Sequence, residues 1–311
     1  MKYKEQLLSK LLFSLREVKR KNGVLIKKLG KAWHNKREYY EEFVHSRRKK
    51  TKAAHPSSYP IEAHQASQKT VVDHPLIIGK DRLAVYTCVF GNYDDVEEPI
   101  IKGRFCDYYI VTDQIVSPKS KWKQIEPKAY PESFDSWHPA IKNRYFKMHP
   151  DVLFPDHQYS LYVDGNIKLI TDMYPFLVEM KSRRSVFGLF NHPVWNCIWD
   201  MTEVLIEQGL VDRDGAVSQL SRYSSEGFPK QWGLFECSFI MREHHHTESK
   251  ETMDIWWNEY LHGEKRDQIC FPYALWKNGM QFTDVCSFGK NWRKCSRLKE
   301  KAHNRPHSKV T

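Results

Sequence analysis

The sequence predicts an α/β fold on two observations. Several apolar stretches carry no polar alternation, as strands buried on both faces require, and each stops at a polar or glycine-containing turn. Between them lie segments whose apolar residues recur at three- and four-residue spacing, the period of an amphipathic helix.

Residues 83–90 are apolar almost throughout and end at Gly91-Asn92-Tyr93-Asp94, which predicts a first strand and a turn. Residues 105–113 predict a second strand that stops at Asp113. Together they place Phe90, Gly91, Tyr93 and Asp113 at one sheet edge. An aromatic ring there stacks on a nucleobase, and a carboxylate accepts from a base or ribose donor, although both residues also suit ordinary turns. A short strand is expected at 122–125. A helix over 140–148 follows, with Ile141, Tyr145 and Met148 on one face and Lys142, Asn143, Arg144 and Lys147 elsewhere. Lys142 and Arg144 are candidates for a diphosphate, the first as a point charge and the second as a two-pronged donor; a solvated helix face is the alternative.

Residues 159–163 predict a buried strand running into Asp164-Gly165-Asn166. In open α/β sheets, ligands bind just beyond the carboxyl ends of strands, so these oxygen-bearing side chains are placed to hold a cation and its phosphorylated substrate. The same tripeptide also suits a tight turn. Further on, a helix is expected at 173–180, a strand at 186–190, and helices within 199–222 broken at Gly209. Residues 222–228 read as a polar-aromatic loop. The strand expected at 231–242 carries one carboxylate, Glu236, inside an apolar run, and a buried acid must be paired, protonated or used. His244-His245-His246 reads as an exposed turn, because neighbours on a strand face opposite ways and cannot share one ion. A helix at 253–261 and an apolar helix opened by Arg266-Asp267-Gln268 complete the pattern. Asp267 either caps that helix or belongs to a site.

Charge divides the chain. Residues 1–55 hold 17 basic and 5 acidic side chains, leaving 32 and 33 in the remainder. The main domain thus lacks the basic excess that nucleic acid would require, and no nucleic-acid partner is expected. Leu7, Leu8, Leu11, Leu12, Leu15 and Val18 give the arm an apolar helical face. Such an arm suits an anionic membrane surface, where each basic side chain contributes about 1 kcal/mol, and equally suits packing on a domain or in an oligomer. Residues 56–80 read as a linker, 81–290 as the main domain and 291–311 as a basic tail. Seven cysteines with no Cys-x-x-Cys pair give neither a disulfide framework nor a zinc knuckle. The absence of a long apolar run predicts a cytoplasmic protein, peripheral at the inner face of the membrane if the arm binds lipid.

In this order, the strand before Gly91-Asn92-Tyr93-Asp94, the basic helix, Tyr162-Val163-Asp164-Gly165-Asn166, the Glu236 strand and Arg266-Asp267-Gln268 resemble a family. Over residues 82–290 the chain resembles GT-A-type glycosyltransferases, in particular the bacterial and plant glycosyltransferase-like domain shared with plant mucilage- and turgor-related proteins. The resemblance implies a Rossmann-like GT-A fold with a mixed sheet, a nucleotide-sugar donor expected to be linked to uridine diphosphate, and a glycan acceptor of cell-surface or capsular polysaccharide. It also implies a divalent cation, Mn2+ or Mg2+. The family's Asp-x-Asp motif falls on Asp164 and Asn166, with Gly165 between, so an amide replaces the second carboxylate. A histidine near the C-terminus, His303 or His307, would complete the metal shell. Glu236 and Asp267 are the implied catalytic carboxylates, as base or as a group beneath the sugar. The amide at Asn166 also admits a second reading, a non-catalytic nucleotide- or glycan-binding adaptor on the same fold.

Overall fold

The computed structural model describes residues 81–303, apart from 96, 128 and 129. The basic arm, the linker and His307 lie outside the described residues. In chain order the strands are β1 (Leu83–Val89), β2 (Cys106–Thr112), β3 (Lys123–Gln124), β4 (Tyr159–Val163), β5 (Ile167–Leu169), β6 (Phe187–Asn191), β7 (Phe235–Glu243), β8 (Cys286–Ser287) and β9 (Leu298–Glu300). The helices are α1 (Pro139–Met148), α2 (Pro150–Leu153), α3 (Tyr174–Ser182), α4 (Ile198–Glu207), α5 (Arg213–Ser225), α6 (Thr247–His262) and α7 (Asp267–Lys277).

The main sheet has the order β3-β2-β1-β4-β7-β6-β8. β1 runs parallel to both β2 and β4, whereas β7 is antiparallel to β4 and β6, so the sheet is mixed, as expected. Alternation along β1 explains why its sequence shows no polar face. Leu83 and Val85 join a core with α3, Trp122 and Trp292, while Ala84, Tyr86 and Cys88 join the opposite core with α1, α6 and α7. A buried strut fixes α1 on the second face: Arg242 Nη2 donates to Tyr86 Oη at 2.6 Å, and Tyr86 Oη donates to the Phe146 carbonyl at 3.0 Å. From β1 the chain winds outward through β2 and β3, then returns to place β4 on β1's other side. That reversal opens a crevice beyond the carboxyl ends of β1 and β4.

Several boundaries depart from the sequence reading. α6 begins at Thr247 rather than 253, because its first turns are polar and give no apolar period, although Ser249 and Thr252 are buried. α5 extends through Ser225, absorbing the start of the expected loop. The exposed turn expected at the triple histidine is corrected at His244, which is buried and whose Nε2 lies 3.0 Å from the Phe154 carbonyl. Residues 291–303, read as a tail, contain buried Trp292 and the strand β9, which pairs antiparallel with β5. No helix among the described residues is long and apolar enough to cross a membrane.

Candidate active site

A cavity of about 440 Å³ occupies the crevice at the ends of β1 and β4. Its floor is the turn after β1. Gly91 adopts a left-handed backbone with φ +67°, and a Cβ there would sit 2.7 Å from Pro139 Cγ. The Gly91 N–H donates to Asp113 Oδ1 and Oδ2 at 3.1 and 2.9 Å. Asp113 thus shapes the turn from the next strand. Phe90 is buried against Phe134 and Phe146 and still contributes to the cavity wall. Tyr93 lines the cavity beside the His303 ring, with centroids 5.2 Å apart.

β4 delivers Asp164 and Gly165 into the same space. Asp164 Oδ1 accepts from Tyr162 Oη at 2.8 Å and lies 3.7 Å from Lys147 Nζ, and the side chain remains 27% exposed. Gly165 is required by contact rather than by backbone angle, since a Cβ would meet Val89 Cγ2 at 2.7 Å. Across from them α1 contributes Asn143 and Arg144, and the loop before α7 contributes Lys265 and Arg266.

Behind this wall lies a buried charge cluster. Asp267 Oδ2 accepts from Lys147 Nζ at 2.6 Å and lies 3.0 Å from Arg144 Nε. Lys147 is 1% exposed, and a lysine so buried requires such a partner. Burial works against the Asp267 charge, but Lys147 and Arg144 overcome it and hold the carboxyl well below its usual range. Burial likewise opposes the Arg144 charge, and Asp267 more than restores it.

The expected site residues divide into three groups. Phe90, Gly91, Tyr93, Arg144, Asp164, Gly165 and His303 converge on the cavity. Asp113, Asp267 and Glu236 lie outside its lining. Asp113 holds Gly91, and Asp267 holds the cluster. Glu236 accepts from Arg293 Nη1 at 3.1 Å and from Gln268 Nε2 at 3.2 Å. Burial raises the Glu236 pKa, and Arg293 partly offsets it. Of the three outcomes foreseen for a buried acid here, pairing is the one observed. Lys142 and Asn166 point elsewhere. Lys142 Nζ donates to the Asp135 carbonyl at 3.1 Å, and Asn166 Nδ2 donates to the Lys301 carbonyl at 3.2 Å, fastening β9 to β5.

Sequence reasoning passed over Asp94, Lys147, Lys265 and Arg266 as site residues. Asp94 is buried and accepts from His303 Nδ1 at 2.9 and 3.0 Å. The hydrogen bond to Asp94 raises the His303 pKa against the opposing effect of burial. Arg266 did have a signal, in its place beside Asp267 at the opening of an apolar helix.

The described side chains alone do not complete a divalent-cation cage. No three carboxylate, histidine or cysteine side chains among the described residues are arranged to hold a metal ion. Asp94 is engaged by His303 and Asp164 Oδ1 by Tyr162 and Lys147, while Asn166 donates through its Nδ2 to the Lys301 carbonyl.

Residues 139–297, from the start of α1 to the eve of β9, match the model of the TOD1/MUCI70 glycosyltransferase-like domain. The chain belongs to this family. A curated relative, the probable hexosyltransferase MUCI70 of Arabidopsis thaliana, is 24% identical over 221 residues. That match covers 61% of this chain and 36% of the relative, so the chain spans about a third of the relative's length. Among solved structures, the mannosyltransferase Ktr4p of S. cerevisiae gives a TM-score of 0.39 at 12% identity, over 74% of this chain and 77% of that one. The bifunctional glycosyltransferase WbbM gives 0.38 at 9%, over 70% and 40%. Mouse xyloside xylosyltransferase 1 gives 0.37 at 10%, over 67% and 84%.

Proposed function

We propose that this member of the TOD1/MUCI70 family transfers a hexosyl unit from a nucleotide-diphosphate sugar to a hydroxyl of a glycan acceptor, in the synthesis of a surface polysaccharide. The observation that carries the reading is the cavity at the β1/β4 reversal, which combines an aromatic ring, a carboxylate and cationic side chains in one space. Tyr93 offers a face for the base. Asp164, at the end of β4 and directed by the Tyr162 hydroxyl, is the lining carboxylate best placed to meet the sugar.

The chemistry follows from where charge develops. As the bond between the anomeric carbon and the β-phosphate oxygen breaks, negative charge grows on the leaving diphosphate and positive character on the sugar carbon. Arg144 stabilises the first and the Asp164 carboxylate the second, in a site that the paired Lys147 and Asp267 keep rigid. The acceptor hydroxyl bonds to the anomeric carbon, and its proton passes to the departing diphosphate.

The test is turnover. The full chain is incubated with a panel of nucleotide-diphosphate hexoses, with and without oligosaccharide acceptors, and nucleoside diphosphate release is measured. At least one donor should be consumed, and Asp164→Ala should lower kcat by about 100-fold or more, the loss associated with removing a preorganised charge partner. Binding without turnover would favour the adaptor reading, and no response to any donor would refute both.

A further inference from the structure

Three cationic side chains, Arg144, Lys265 and Arg266, line the cavity between α1 and α7 with Lys147 behind them, and only some have a protein counter-charge. Lys147 and Arg144 share Asp267, as described. Lys265 Nζ donates to the carbonyls of Leu261 and Gly263 at 2.6 and 3.1 Å, neutral acceptors that fix its position without balancing its charge. Arg266 lines the cavity, and its Nη2 is buried with no hydrogen-bond acceptor.

A buried donor of this kind costs about 1–3 kcal/mol, and a ligand oxygen in the cavity would supply the missing acceptor. Burial depresses the Arg266 pKa; Asp267 works against that, and Arg144 is close enough for its charge to press it further down. The guanidinium is therefore short of negative charge. The carboxylate that acts on it most strongly, on Asp267, is already committed to Lys147 and Arg144. The carboxylates that line the cavity, Asp94 and Asp164, have His303, Tyr162 and Lys147 as partners.

We propose that Arg266, with Arg144 and Lys265, forms the subsite for the donor's diphosphate, so that fixed protein cations neutralise the phosphates in the place the resemblance gives to a divalent metal. This rests on the donor reading above and deepens it. A guanidinium presents paired N–H groups that match two phosphate oxygens, whereas Lys265 adds a point charge. Because these charges are covalently placed, diphosphate binding needs no added cation.

Calorimetric titration of the full chain with UDP, GDP, CDP and ADP tests this, in buffer containing EDTA and again with Mn2+. At least one nucleotide should bind in EDTA, with an affinity that Mn2+ changes by less than about threefold. Arg266→Ala should weaken that nucleotide by at least about tenfold, and Arg266→Lys should recover only part of the loss, while the affinity for the parent nucleoside stays unchanged in both variants. Thermal unfolding of the variants checks that they are folded. Binding that appears only with Mn2+, or that Arg266→Ala leaves unchanged, overturns this subsite and leaves the donor reading intact. Failure of every nucleotide to bind under either condition overturns both.

Discussion

Replacing Asp267 with Asn removes one charge from the buried cluster and leaves the shape nearly unchanged. In the native protein its Oδ2 is 2.6 Å from Lys147 Nζ and 3.0 Å from Arg144 Nε. The Asp267 side chain is 12% exposed and Lys147 is 1% exposed, so Lys147 cannot turn to bulk water. Asp164 is the nearest remaining carboxylate to Lys147, at 3.7 Å. Breaking a buried pair from one side typically costs about 3–5 kcal/mol, because the remaining charge is stranded. Against a total stability of about 5–15 kcal/mol that is a large fraction, and for a domain of this size it corresponds to a Tm drop of roughly 10 °C.

The pH dependence separates charge from shape. The folded pKa of Asp267 is depressed, so the carboxylate's contribution is fully present above the unfolded value of about 3.9 and is lost as pH falls toward the folded value. Urea unfolding of wild type and Asp267→Asn at pH 7 and down to pH 3 measures both effects. The stability gap should be wide at pH 7 and narrow below about pH 4. A gap under about 1 kcal/mol at pH 7, or one that does not narrow in acid, would refute the account of the cluster. Replacing the pair with apolar residues, Lys147→Met with Asp267→Leu, should cost less than Asp267→Asn alone, since a buried pair replaced whole is often near neutral.

Three further outcomes are expected. Gly165→Ala pushes a methyl to 2.7 Å from Val89 Cγ2 and should destabilise by about 1–3 kcal/mol while weakening nucleotide binding, both read by thermal shift. The His303 pKa is raised by Asp94, so the docking of 298–303 should be firm below about pH 6.5 and loosen as pH rises through the folded value; trypsin cleavage at Lys299 and Lys301 should quicken over that range, and His303→Ala should be fast throughout. Removing residues 1–55, with their 17 basic side chains, should release the protein from anionic vesicles in a sedimentation assay and spare activity on soluble acceptors.

Much of the frame was legible because local sequence encodes it. The apolar runs marked β1, β2, β4 and β7, and a strand ending in Asp164-Gly165 pointed to the crevice that the topology opens. Selection among similar side chains was not legible. Lys142 and Lys147 lie on one helix with no local sign of which one enters the core. The choice is made by Asp267, 120 residues away. His303 reaches Asp94 across 209 residues, and Asn166 is drawn to Lys301 by pairing of β5 with β9, so neither role has a trace in the surrounding period. Glu236 was rightly marked as an acid needing a partner, but Arg293 lies in the segment that composition alone made a tail.

The most direct measurement is a crystal structure of the protein with a nucleoside diphosphate that it binds. The account predicts the nucleotide in the β1/β4 cavity, its base beside Tyr93 and its phosphates within hydrogen-bonding distance of Arg144 and Arg266. A nucleotide bound elsewhere, or seated in the cavity with its phosphates turned away from both arginines, would contradict it.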